Sequence, residues 1–210
     1  MRNDINKNKL GEIIIFVIVS LLIISRIKTP YELVKGMRDR DMDYELISSN
    51  KTDEGIFLYT SGVVNEEKYN KYNIDLVKKT LTGYKWAGGG GHINRDISNS
   101  EDFIISMQLL YAEQYFTPTI FGIIIDENIK DIRIYIRDEL SNVATIYNGR
   151  DENEKFYVVH FERDIADVSY MTVRLIYADG REVVFMPSDE EMERLLKSVP
   201  RYINEEIIEK

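Results

Sequence analysis

Four glycines in a row, Gly88 to Gly91, are flanked by the side chains with the most chemical promise. Tyr84 and Trp86 come before them, and His92 and Arg95 come after. A glycine run that follows a strand can cradle a phosphate, provided that a helix opens directly behind it and aims its N–H groups at the anion. The next residues are His92-Ile93-Asn94-Arg95-Asp96-Ile97-Ser98-Asn99-Ser100, polar and without helical period, and the Lys-Ser/Thr of a P-loop is missing. The run is therefore expected to be a mobile connector. Tyr84 and Trp86 share one face of a strand over residues 82–86, since side chains alternate. With His92 and Arg95 they form the candidate binding patch, with Trp86 as the chain's only tryptophan.

Other chemistries lack their residues. The chain has no cysteine, which removes thiolate catalysis, disulfides and cysteine-based zinc sites. Its two histidines, His92 and His160, fit no zinc-binding pattern. His160 lies in Tyr157-Val158-Val159-His160-Phe161, where a structural histidine on a sheet face is expected. No Gly-x-Ser-x-Gly frames a serine nucleophile. Asp39, Asp41, Asp43 and Glu45 alternate, but the sixth residue from Asp39 is Tyr44 where a calcium loop needs glycine. No catalytic residue, metal ligand or cofactor is assigned.

The elements that must position the patch begin with an apolar run. Residues 10–27 include Ile13, Phe16, Val19, Leu22 and Ile24 and reach about 27 Å as a helix, near the roughly 30 Å of a bilayer core. The expectation is a transmembrane signal anchor behind a cytoplasmic tail of residues 1–9. Arg2, Lys7 and Lys9 would also suit a cleaved signal peptide, but Ile24-Ser25-Arg26-Ile27-Lys28-Thr29-Pro30 offers no Ala-x-Ala site. Basic residues on the far side, from Arg26 to Arg40, do not favour an inside N-terminus. The large domain behind them can translocate regardless of charge, and an extracytoplasmic domain is expected.

The rest of the chain reads as α+β. Thr29 and Pro30 open a short helix reaching Arg40. Residues 28–116 are expected to form an α+β module, with residues 74–81 compatible with helix or strand. From 117 to 187 the strands come at short spacing, with Asp179-Gly180 as a hairpin turn, and an Ig-like β-sandwich is expected. Ser188 and Glu191 form a capping box for an amphipathic helix over 188–210.

Gly83-Tyr84-Lys85-Trp86-Ala87-Gly88-Gly89-Gly90, with Ile129-x-x-Ile132-x-Ile134 and the Asp-Gly hairpin, resembles small membrane-anchored or secreted proteins of low-GC Gram-positive bacteria. The resemblance implies an envelope location and a β-rich ectodomain, and carries no catalytic residues.

Residues 1–28 hold five cations and two acids, which leaves a net charge of −12 on the remainder. Such a surface repels phosphate backbones, so nucleic acid is not an expected partner. The partners expected are the lipid bilayer and an envelope protein or cell-wall component, bound without catalysis. An envelope hydrolase with an Asp/Glu pair and a membrane-tethered regulator facing the cytosol are the alternatives.

Overall fold

The computed structural model describes residues 12–17, 28–38, 42–64, 69–96, 104–112, 116–150, 154–161, 170–197 and 201–203. Three antiparallel sheets dominate it, in place of the expected α+β mixture. Strands β1 (Met42–Thr52), β2 (Gly55–Val64), β3 (Tyr69–Thr80) and β4 (Gly83–Asp96) form the first sheet as a meander. The second sheet has the order β13-β5-β6-β10-β9. It comprises β5 (Ile105–Ala112), β6 (Phe116–Ile124), β9 (Thr145–Asn148), β10 (Lys155–His160) and β13 (Arg201–Ile203). The third, ordered β12-β11-β7-β8, takes β7 (Ile129–Ile136), β8 (Glu139–Val143), β11 (Met171–Tyr177) and β12 (Glu182–Phe185).

The second sheet is the middle layer. On one of its faces Phe121, Ile123, Phe156 and Val158 pack with Phe57, Tyr59, Tyr72, Ile74 and Leu76 of the first sheet. On the other, Ile120, Ile124, Tyr157 and Val159 join Ile132, Ile134, Val173 and Leu175 of the third. This explains why β6 and β10 are apolar without alternation: both of their faces are buried. Each such side chain contributes about 1.5–3 kcal/mol on leaving water. Three stacked sheets thus replace the expected α+β module and separate Ig-like sandwich: the middle sheet includes β5, and the division at 116/117 falls inside β6.

Two short helices cover the stack. Helix α1 (Pro30–Met37) starts at a capping box in which Thr29 accepts from the Glu32 amide and Glu32 accepts from the Thr29 amide. Its Val34 packs with Leu58 and Val77 on the outer face of the first sheet. Helix α2 (Asp189–Leu196) has the expected Ser188–Glu191 box and buries Met192 and Leu195. It stops at Leu196, and residues 201–203 pair with β5 as a strand, so the helix expected over 188–210 is cut short. In the sequence Pro200 follows shortly, and a proline cannot donate to a helix ladder.

The expected transmembrane helix is not found. Among the described residues no helix is long and apolar enough to cross a membrane. Residues 12–17 are helical, with Ile13 59% and Phe16 73% exposed, and six residues give only about 9 Å of helix. Val19, Leu22 and Ile24 lie outside the described residues, as does the tail over 1–9.

Candidate functional site

The glycine run is not a connector. Gly88 to Gly91 lie inside β4, which pairs with β3 along its length. Residues 74–81, open between helix and strand in the sequence, belong to β3 up to Thr80.

Two irregularities in the β3–β4 register bracket Asp75. Asn73 faces His92 and Asp75 faces Gly89, so β4 spends three residues against two; Val77 faces Trp86, so it does so again. Each is a bulge, which bends a strand and re-aims its side chains. The glycines make these bulges possible. Gly89 has φ +129°, and a Cβ there would lie 2.4 Å from the Ile74 carbonyl oxygen and 2.7 Å from Asp75 Cα. Gly90 has φ +100°, a conformation that L side chains rarely adopt, and lies beside the Arg38 guanidinium, which a Cβ would meet only at ordinary contact distances of 3.7 and 3.8 Å.

Asp75 is 1% exposed and points to the outer face of the first sheet, since it is paired with Leu58 of that face. Burying a carboxylate is costly unless it is paired and hydrogen-bonded. Arg38, the C-cap of α1, donates from Nη2 to Oδ1 at 2.7 Å and to Oδ2 at 2.8 Å. Trp86 donates from Nε1 to Oδ1 at 2.9 Å. A charged group at a helix C-terminus is well placed when it is a cation, because the helix dipole is negative there. The pair pins α1 to the sheet.

A cleft of about 270 Å³ opens at this cluster, lined by Val34, Met37, Arg38, Asp75, Trp86 and Gly89–Gly90. Trp86 is 39% exposed and Met37 54% exposed, so the cleft presents an indole and a thioether to solvent. Tyr84, two residues before Trp86 on β4, is partly buried against Val34, Leu58 and Val77. Of the patch expected from sequence, Trp86 lines the cleft and Tyr84 supports the helix beside it. His92 and Arg95 lie further along β4, across from Asn73 and Asn70, and their side chains are outside the description.

No family model matches this chain, and no curated protein or solved structure is similar to it.

Arg38 and Asp75 were not among the candidates read from sequence. Asp75 carried a signal: a lone acid within Ile74-Asp75-Leu76-Val77, where every neighbour is apolar. A carboxylate in such a run needs a partner, though nothing local says which cation supplies it.

Two further buried polar groups, His160 and Glu154, are engaged in structure. His160 is hydrogen-bonded to Tyr59 Oη through Nε2 at 2.6 Å and to Thr119 Oγ1 through Nδ1 at 2.9 Å. Phe57 packs on its ring at 4.4 Å between centroids. Burial lowers its pKa to about 4, so the imidazole is neutral near pH 7. It ties the first sheet to the second, as the structural reading expected. Burial likewise pushes the Tyr59 phenol upward. Glu154, 1% exposed, accepts from the Tyr72 hydroxyl. Among the described residues no group of histidines and acids could hold a metal ion.

Proposed function

We propose that this chain is a non-catalytic binding module whose ligand enters the cleft between α1 and β4. The observation that carries the reading is the state of Trp86. Its N–H is fixed on a buried carboxylate at 2.9 Å while 39% of the residue remains in water. Tryptophan offers a large, rigid contact area and is enriched where proteins bind partners. Here it is held in one orientation before any partner arrives, which lowers the cost of binding.

The cluster is poorly suited to acid–base work. Asp75 already accepts from Arg38 and Trp86, and water reaches 1% of the residue. A general base must reach the proton it removes. Glu154 and His160 are similarly occupied by Tyr72, Tyr59 and Thr119.

Saturation-transfer NMR with a mixture of small carboxylates, amides, amines and sugars tests this reading. Transfer to at least one class is expected, lost in Trp86→Ala while its circular dichroism stays native. Transfer that survives Trp86→Ala, or none at all, contradicts it.

A further inference from the structure

We infer that the cleft takes a neutral acyl group, a carbonyl with its attached methyl, presented by a larger carrier; this reading rests on the binding function proposed above. The charges of the site cancel. Arg38 and Asp75 are the two ionisable residues among those that line it, and they are paired at 2.7 Å. Asp75 is 1% exposed, and both of its oxygens already accept hydrogen bonds. A cationic ligand therefore finds no carboxylate to pair with. An anionic one meets a guanidinium whose charge is already balanced.

The polar side-chain atoms left over are donors. Arg38 spends Nη2 on Asp75, while Nε and Nη1 make no hydrogen bond to the described residues and are not buried. The side chain as a whole is 18% exposed. Both forks of a guanidinium include Nη2, which Asp75 holds. What remains is single N–H groups, each suited to one oxygen and not to the paired oxygens of a carboxylate. Trp86 Nε1 is spent on Asp75 as well.

An uncharged acceptor that brings no donor of its own suits such a site, and a carbonyl oxygen is one. A hydroxyl would bring an O–H that no lining side chain can accept, because Asp75 is occupied and the others are apolar or donors. A donor left unmet on leaving water costs more than a made hydrogen bond returns. The site should therefore separate acyl groups from alcohols of similar size.

The apolar surface sets what the carbonyl is attached to. Trp86 and Met37, both partly in solvent, stand at the cleft with Val34. Indole and thioether surfaces suit a methyl group. A volume of about 270 Å³ is below the roughly 300–1,000 Å³ of sites for drug-sized ligands, so the cleft takes the acyl group and the first atoms of its carrier. An N-acetylated sugar and an N-acetylated peptide offer this chemistry alike.

The test titrates the protein with N-acetylglucosamine, N-acetyl-L-alanine methylamide, glucose and acetate, following the emission of the single indole. At least one acetylated compound is expected to give a saturable change, and the tighter of the two names the carrier. Glucose, which has hydroxyls but no acyl group, and acetate, which adds a charge, should each bind about ten-fold more weakly. Added salt should leave the acetylated compound's affinity unchanged, since no net charge draws it in. In Arg38→Lys, which keeps a cation beside Asp75 but removes the spare guanidinium N–H groups, the preference over glucose should disappear. Thermal melting shows whether that variant is folded; if it is not, the comparison of ligands on the native protein still decides. Glucose binding as tightly as the acetylated compounds overturns the acyl assignment in favour of a hydroxyl site. Acetate binding more tightly, or an affinity that falls with salt, overturns it in favour of an anion site. No response to any of the four overturns it as well, while the broader binding function still stands or falls on the saturation-transfer screen.

Discussion

Arg38 and Asp75, 37 positions apart, form a salt bridge in which one guanidinium nitrogen spans both carboxylate oxygens at 2.7 and 2.8 Å. It joins the end of α1 to the centre of β3. Removing Arg38 leaves a buried carboxylate with the Trp86 indole N–H as its remaining side-chain donor among the described residues. Arg38→Ala is expected to cost about 2–4 kcal/mol, toward the low end of broken buried pairs because Arg38 itself is partly wet. Urea unfolding measures this. A loss below about 0.5 kcal/mol would place the pair with exposed ion pairs that contribute little.

Two glycines with positive φ should respond differently to alanine. At Gly89 the new Cβ meets backbone at 2.4 Å, so strain adds to steric overlap, and a loss of more than about 2 kcal/mol is expected. At Gly180 (φ +88°) nothing lies within 4 Å, and only the backbone cost of about 1 kcal/mol should appear. Equal losses at the two sites would show that the close approach of β4 to β3 is not what the glycines serve.

Shortening the run by one residue should be damaging. The deletion would leave two residues of β4 against two of β3, so the bulge that carries β4 past Asp75 would be lost. Deleting Gly90 is expected to lower the melting temperature and to alter the emission of Trp86. A connector loop would tolerate the loss, since loop length costs little.

This is where sequence and structure part. Glycine is depleted in strands, so four in a row read as an end to one. What keeps them in β4 is the need to pass over Asp75, fixed by Arg38 from a distant segment. Arg38 itself looked like one of several basic residues flanking a membrane span, and Asp75 like one acid of many. The local signals were legible: the Thr29 and Ser188 caps, the Asp179-Gly180 hairpin, and His160 as a structural residue. The stacking of three sheets was not, because the pairing of β13 with β5, and of β10 with β6, joins segments far apart in the chain. The apolar run at the N-terminus had the composition of a membrane span, but only residues 12–17 of it are described, and as a short helical stretch.

His160 should make stability depend on pH. Its pKa in the folded protein is about 4, against about 6.5 when unfolded. As pH falls below 6.5 the unfolded chain takes the proton first, so the folded state loses ground until the folded histidine titrates near 4. The contribution is fully present above pH 6.5 and declines between 6.5 and 4, by about 3 kcal/mol in all. Denaturant midpoints across that range, compared with His160→Gln, measure it. Identical pH slopes in the two proteins would contradict the buried neutral imidazole.

The most direct measurement is the indole N–H cross-peak of Trp86 in a proton–nitrogen correlation spectrum, which the single tryptophan makes unambiguous. A hydrogen bond to a buried carboxylate should shift that peak well away from the position of free indole and return it toward that position in Asp75→Asn. Adding a compound that gives saturation transfer should then move the native peak along a saturable path. A native peak already at the free-indole position, or one that no ligand class moves, would contradict a cleft in which Asp75 holds Trp86 ready for a partner.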